Sequence, residues 1–304
     1  MTARPLWSDR AWLGQPAPAF AAGVQSLLRA SQGLATSGWE ISVRLSPEGL
    51  CLQRLLVGWE TRGVALARKR QLATEWGIPP TLSPAWQSEL MHAEQVLLAI
   101  EGGQLQGRAD TLERRAYLQF PRTQDNESLV LRGYKWRDEQ PDVWRQTDYH
   151  RLPMGLAQTQ HALRLAMTQD THDAMSSHAY SAAAEILNNA CQRLSQRGDS
   201  LETAPFEILV ATESSQAGPT PRTSLCMRLY DLDVDARMAS EPLQKLLSLW
   251  GQAQHGAALR NLLTHRPLGW LATGTDRQGL PFLTLYAQAS IHDAWQWTAL
   301  GAGK

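Results

Sequence analysis

Apolar and polar positions alternate with a period of two in several short stretches of the chain. Over 39–45, Trp39, Ile41, Val43 and Leu45 are apolar while Glu40, Ser42 and Arg44 are polar. A Ser46-Pro47-Glu48-Gly49 turn leads into a second apolar run, 50–57, interrupted by Gln53 and Arg54. A strand that buries one face has this period, so the pair predicts a β-hairpin. Four more hairpins follow: 96–100 with 113–120, 128–137 with 142–150, 206–212 with 223–230, and 268–274 with 281–289. The last three turn around Asp138-Glu139-Gln140-Pro141, Gly218-Pro219-Thr220-Pro221 and Asp276-Arg277-Gln278-Gly279. Helical spacing occupies 16–36, 60–77, 83–94, 154–197 and 241–264, the second of these stopping at Gly77.

Ten antiparallel strands in an open sheet would leave long exposed edges, so the pattern predicts closure. The expected fold is α+β: a ten-stranded antiparallel β-barrel, surrounding α-helices and a solvent-filled lumen, in a single domain spanning 1–304. Helices must cover the apolar outer face. The opposite set then points inward: Glu40, Ser42, Arg44, Arg54, Arg115, Tyr117, Gln119, Arg228, Tyr230, Thr284, Tyr286 and Gln288. The same alternation also fits a half-exposed antiparallel sheet whose polar face meets water.

Composition narrows the function. Lysine plus arginine and aspartate plus glutamate number 29 each, so no net positive field draws the chain to nucleic acid or an acidic membrane. The N-terminus carries no apolar signal segment and no 18-residue apolar stretch occurs, which predicts a cytoplasmic protein. Three cysteines without CxxC spacing give neither a disulfide framework nor a zinc signature. Twelve tryptophans against four phenylalanines point to an aromatic-lined cavity. Asp231-Leu232-Asp233-Val234-Asp235 is the densest acidic cluster and reads as a loop rather than a metal site.

Several segments carry a family resemblance. Trp39-Glu40-Ile41-Ser42-Val43-Arg44 leads to Leu52-Gln53-Arg54-Leu55-Leu56; 96–101 is followed by Arg115-Ala116-Tyr117-Leu118; the last hairpin combines Pro267-Leu268-Gly269-Trp270-Leu271-Ala272-Thr273-Gly274 with Leu283-Thr284-Leu285-Tyr286. In order and spacing, over roughly 20–290, these resemble the ABBA-type prenyltransferases, and among them the cyanobactin peptide prenyltransferases. The family separates its fourth and fifth strands by a helix, where this chain has only Pro121 to Glu127.

The resemblance implies transfer of a dimethylallyl or geranyl group from its diphosphate to a tyrosine, tryptophan, histidine or arginine side chain of a linear or macrocyclic ribosomal peptide. Glu40 is then the base that takes the acceptor's proton. Arg54, Arg115 and Arg228, with Tyr117, Thr284 and Tyr286, are the diphosphate ligands, because the guanidinium fork matches phosphate oxygens. Val210 and Trp270 bound the isoprenoid pocket. No protein metal site and no organic cofactor are implied, while Mg2+ could be bound through the diphosphate. Two further readings stay open: a small-molecule aromatic prenyltransferase of the same fold, and a non-catalytic barrel that binds a peptide or lipid.

Overall fold

A computed structural model describes residues 18–102, 111–121, 128–169, 174–201, 206–215, 218–263 and 266–289. Strands β1 (Thr36–Ser46), β3 (Arg54–Glu60), β4 (Gln95–Gly102), β5 (Leu112–Gln119), β6 (Leu129–Arg137), β7 (Gln140–Leu152), β8 (Glu207–Ser215), β9 (Gly218–Arg228), β10 (Leu268–Thr275) and β11 (Pro281–Ala289) pair in that order, every pair antiparallel. Pairing of β11 with β1, from Trp39↔Ala289 to Leu45↔Leu283, closes the ring. The short β2 (Gly49–Cys51) only extends the turn end of β1. The half-exposed sheet is therefore excluded, and the ten-stranded barrel is the fold.

The apolar half of each alternation faces the helices. Trp39, Ile41, Val43 and Leu45 of β1 and Leu55, Val57 and Trp59 of β3 are buried in one continuous core. That core takes in Phe20, Val24, Leu27 and Leu28 of α1 (Pro18–Ala30) and Leu72 and Trp76 of α2 (Leu66–Trp76). It also includes Trp86 of α3 (Ser83–Leu90). Gly77, with φ 72°, takes the left-handed cap conformation that ends α2, as the sequence predicts. The remaining helices are α4 (Leu156–Gln169), α5 (Ala174–Arg197), α6 (Ser240–Leu249) and α7 (Gly256–Leu263).

The differences from expectation have local causes. The helix expected over 16–36 runs Pro18–Ala30, and Pro16 lies outside the described residues. The helix expected from 60 starts at Leu66, because Trp59 still alternates inside β3. The stretches 154–197 and 241–264 are each two helices; Gly251, with φ 70°, lies between the second two. In the fourth hairpin the strands run further than expected, and Gly218–Pro221 belongs to β9. Pairing steps from Glu213↔Arg222 to Ser215↔Gly218, so both prolines, which have no N–H to donate, fall in an irregular stretch of the ladder. The third hairpin stands where the sequence placed it, and β5 pairs directly with β6.

Candidate active site

Each strand pair β1/β3, β4/β5, β6/β7, β8/β9 and β10/β11 is joined by a short connection at one end of the barrel, whereas the helices connect pairs at the other end. Inward positions can therefore be ordered along the lumen. Near the hairpin end lies a cavity lined by Arg54, Arg115, Lys135, Tyr117, Tyr149 and Tyr286.

Its walls are charged. Glu101 binds both Arg54 (Nε–Oε2 3.0 Å) and Arg115. Arg115 also reaches Glu113 (2.8 Å), which in turn holds Arg145. Glu213, only 5% exposed, holds Lys135 at 3.2 Å and Arg277. Arg44 pairs with Asp276 at 3.3 Å and lies over the Phe282 ring at 4.4 Å. Among the described residues this makes six cations, Arg44, Arg54, Arg115, Lys135, Arg145 and Arg277, against four carboxylates. The surplus of two positive charges suits a multivalent anion. Burial would raise the Glu101 carboxyl, but Arg115 and Arg54 outweigh it and hold it at about 2. Glu113 is likewise held well below the usual carboxylate range, burial being outweighed by Arg115 and Arg145.

Buried polar atoms of this cavity without a hydrogen-bond partner among the described residues include Nη1 of Arg54 and Oγ1 of Thr147. Arg54 is 5% exposed, and a guanidinium arm left open in so dry a place is primed for an added acceptor.

Further along the lumen come aromatic rings. Tyr117 and Tyr149 meet edge to face with centroids 6.2 Å apart, and Arg54 lies 5.7 Å from the Tyr286 ring centroid. Burial pushes the Tyr149 and Tyr286 hydroxyls above their ordinary range, so both stay neutral donors. Tyr117 can lie as it does because its cross-strand partner is Gly133, where a Cβ would come within 2.6 Å of the ring.

Toward the opposite mouth, Glu40 is half-buried beside Leu56 of β3 and Gln288 of β11, its cross-strand partners. It accepts a hydrogen bond from the Tyr230 hydroxyl. Burial pushes its carboxyl up to about 7, against the downward pull of that hydrogen bond.

The structure thus brings Arg54, Arg115, Tyr117, Thr284 and Tyr286 to one cavity and sets Glu40 in phase with them near the other end. It separates three expected site residues from the cavity wall. Arg228 points inward by register but sits at the Glu40 end, 42% exposed at its side chain and paired with Asp231 at 3.1 Å. Trp270 is its neighbour across the β9–β10 ladder and lies next to Tyr286 on β11. Val210 is corrected: its partner is Leu225, on the outward phase, and Leu209 and Ala211 take the inward positions beside it. Tyr230, expected on a strand, begins a one-turn helix just past β9.

Sequence reasoning missed Glu101, Glu113, Lys135, Arg145, Thr147, Tyr149 and Glu213. The same period-two phase that selects Arg115 also selects Glu113, so that signal was available. The β7 strand gives none, because Arg145, Thr147 and Tyr149 alternate with the equally polar Gln146, Asp148 and His150. The acidic run 231–235 is dispersed: Asp231 goes to Arg228, Asp233 to Arg197, and Asp235 caps the backbone N–H of Arg237. Among the described residues no group of three or more His, Cys, Asp or Glu is arranged to hold a metal ion.

Solved structures with this architecture exist. The crystal structure of AnaPT from Neosartorya fischeri is 14% identical, superposes with a TM-score of 0.52, and covers 82% of this chain and 77% of its own. The chain has the ABBA prenyltransferase barrel. Two structures of the NotF prenyltransferase, one of them in complex with brevianamide F and DMSPP, are 12% and 11% identical with TM-scores of 0.49. They cover 83% and 94% of this chain and 81% and 99% of theirs. No protein-family model and no curated protein sequence matches the chain. The cyanobactin branch gains no support from these likenesses. No helix among the described residues is long and apolar enough to cross a membrane.

Proposed function

We propose that the chain is a prenyltransferase that moves an allylic isoprenoid from its diphosphate to a small, electron-rich aromatic acceptor. The observation that carries this reading is the open Nη1 arm of Arg54, in a cation-rich cavity beneath Tyr117, Tyr149 and Tyr286, with the Glu40 carboxyl in the same lumen. Arg54, Arg115 and Lys135 bind the diphosphate and stabilise the charge that develops as the carbon–oxygen bond breaks and its electron pair leaves with the phosphate. The tyrosine rings face the allylic cation and exclude water. The acceptor's π electrons form the new bond, and Glu40 takes the proton released. A carboxyl poised near 7 is half ionised at neutral pH, which suits a base.

A small acceptor is favoured over a peptide because the ion pairs close the lumen at the hairpin end. Among the described residues, the cavity carboxylates leave no free ligand for a Mg2+ ion. Each cavity carboxylate is already paired with arginine or lysine, so such an ion would be held by diphosphate oxygens alone.

The test is incubation with dimethylallyl or geranyl diphosphate and a panel of indoles, phenols and cyclic peptides, read by mass spectrometry. Addition of one or two isoprene units to small aromatics, abolished in Glu40→Gln and weakened in Arg54→Ala, is expected. Addition to peptides alone overturns the acceptor class. No addition to any acceptor, with pyrophosphate still bound, leaves a binding barrel and overturns the reaction.

A further inference from the structure

Glu40 would be an indifferent surface carboxyl without the residue that covers it. The Leu229 N–H donates to the Gly269 carbonyl at 2.7 Å, which fixes the next residue, Tyr230, against β10. Its ring then lies directly on Gly269, where a Cβ would come within 2.6 Å of the ring. From that seat the hydroxyl reaches Glu40 on β1. Tyr230 is itself 38% exposed and belongs to a single 3-10 turn, and this contact and the glycine seat hold it inward.

We propose that Tyr230, seated on Gly269, is a positioning residue for Glu40: its hydroxyl aims the carboxylate in the empty lumen and yields that place to the N–H or O–H of the incoming acceptor. The inference rests on Glu40 being the base. Tyr230 can serve as the donor because burial and the Glu40 carboxylate both push its own ionisation well above the ordinary phenol range. The other groups facing Glu40 do not compete. Leu56 from β3 and Gln288 from β11 are uncharged, and Arg228 and Asp231, which flank Tyr230, are paired with each other. Removing the hydroxyl therefore removes a hydrogen bond that favours the ionised carboxyl against its burial.

The experiment compares wild type with Tyr230→Phe and Gly269→Ala. First, the Glu40 carboxyl is titrated by NMR in glutamate-labelled protein, assigned with Glu40→Gln; this needs no turnover. The midpoint rises by about one to two pH units in Tyr230→Phe, the equivalent of one hydrogen bond to a charged group. It rises in the same direction in Gly269→Ala, whose methyl displaces the ring. Second, acceptor kinetics are measured at pH 10, above the Glu40 midpoint expected in every form. The acceptor KM falls several-fold in Tyr230→Phe, since a competitor is gone, and the donor KM is unchanged. An unmoved midpoint in both variants, or an unchanged acceptor KM, overturns the proposal. A protein that transfers no prenyl group yet shows the midpoint shift refutes the assigned reaction and leaves the tyrosine–carboxyl contact standing.

Discussion

Glu101→Gln isolates the part played by the charged cavity. The Glu101 carboxylate bridges two arginines that are 5% and 9% exposed, and the amide that replaces it cannot neutralise either. Breaking a buried ion pair by removing one partner costs about 3–5 kcal/mol, because the remaining charge is uncompensated. An unfolding entropy of about 2.1 cal/mol/K per residue gives roughly 0.6 kcal/mol/K for 304 residues. The expected fall in Tm is therefore about 5–8 °C. Pyrophosphate should restore more of this in Glu101→Gln than it adds to wild type, since the anion supplies the missing negative charge. At about 100-fold over Kd, binding to the native state adds about 2.7 kcal/mol, or roughly 4 °C. The sign with pH follows from a carboxyl held at about 2 against an ordinary 4.5. Its contribution is complete above about 4.5 and is lost as pH falls toward 2, so the Tm gap between wild type and Glu101→Gln should be constant from pH 6 to 8 and close in acid. Differential scanning fluorimetry with and without pyrophosphate reads all of this. Equal pyrophosphate stabilisation in the two proteins would refute the idea that Glu101 occupies charge the donor later neutralises.

Glu40 behaves oppositely. Its folded-state carboxyl is raised to about 7, so its unfavourable effect on stability is absent below about 4.5, builds as pH rises from there and is complete above about 7. Glu40→Gln should therefore be more stable than wild type at pH 8, by about 1–2 kcal/mol once solvent screening is discounted, and no different at pH 4; chemical denaturation at the two pH values decides it. Gly133→Ala should push the Tyr117 ring from its place, lowering stability by about 1–3 kcal/mol and turnover with it; a variant with both intact would show that the ring has room the structure denies it.

The barrel was legible in the chain because period-two alternation leaves only one face of each strand for helices to cover. The phase of β1 alone identifies Glu40, Ser42 and Arg44 as inward, and the β1–β11 pairing sets all three in the lumen. The family resemblance, not the alternation, put Val210 in the pocket; it is one position off, and in an alternating strand one position is the whole difference between lumen and helix side. On β7 the pattern is silent because both faces are polar, and on β6 charged residues stand on each face. Outside the barrel, Arg132 binds Asp148 at 2.7 Å and Glu89 of α3 at 2.5 Å, while inside, Lys135 binds Glu213.

What the linear sequence settled, then, is the face on which each residue stands. Alternation is a local property of the backbone, and helix coverage makes it readable. How far along the lumen each inward residue lies depends on the stagger between strands, which neighbouring residues do not encode. That stagger gathers Arg54 and Arg115 on Glu101 while leaving Arg228 at the far mouth with Asp231. It also folds Tyr230 onto Gly269, thirty-nine positions away, and so gives Glu40 its partner. Only the closed barrel decides such contacts, because they join side chains whose separation in sequence says nothing of their height in the cylinder.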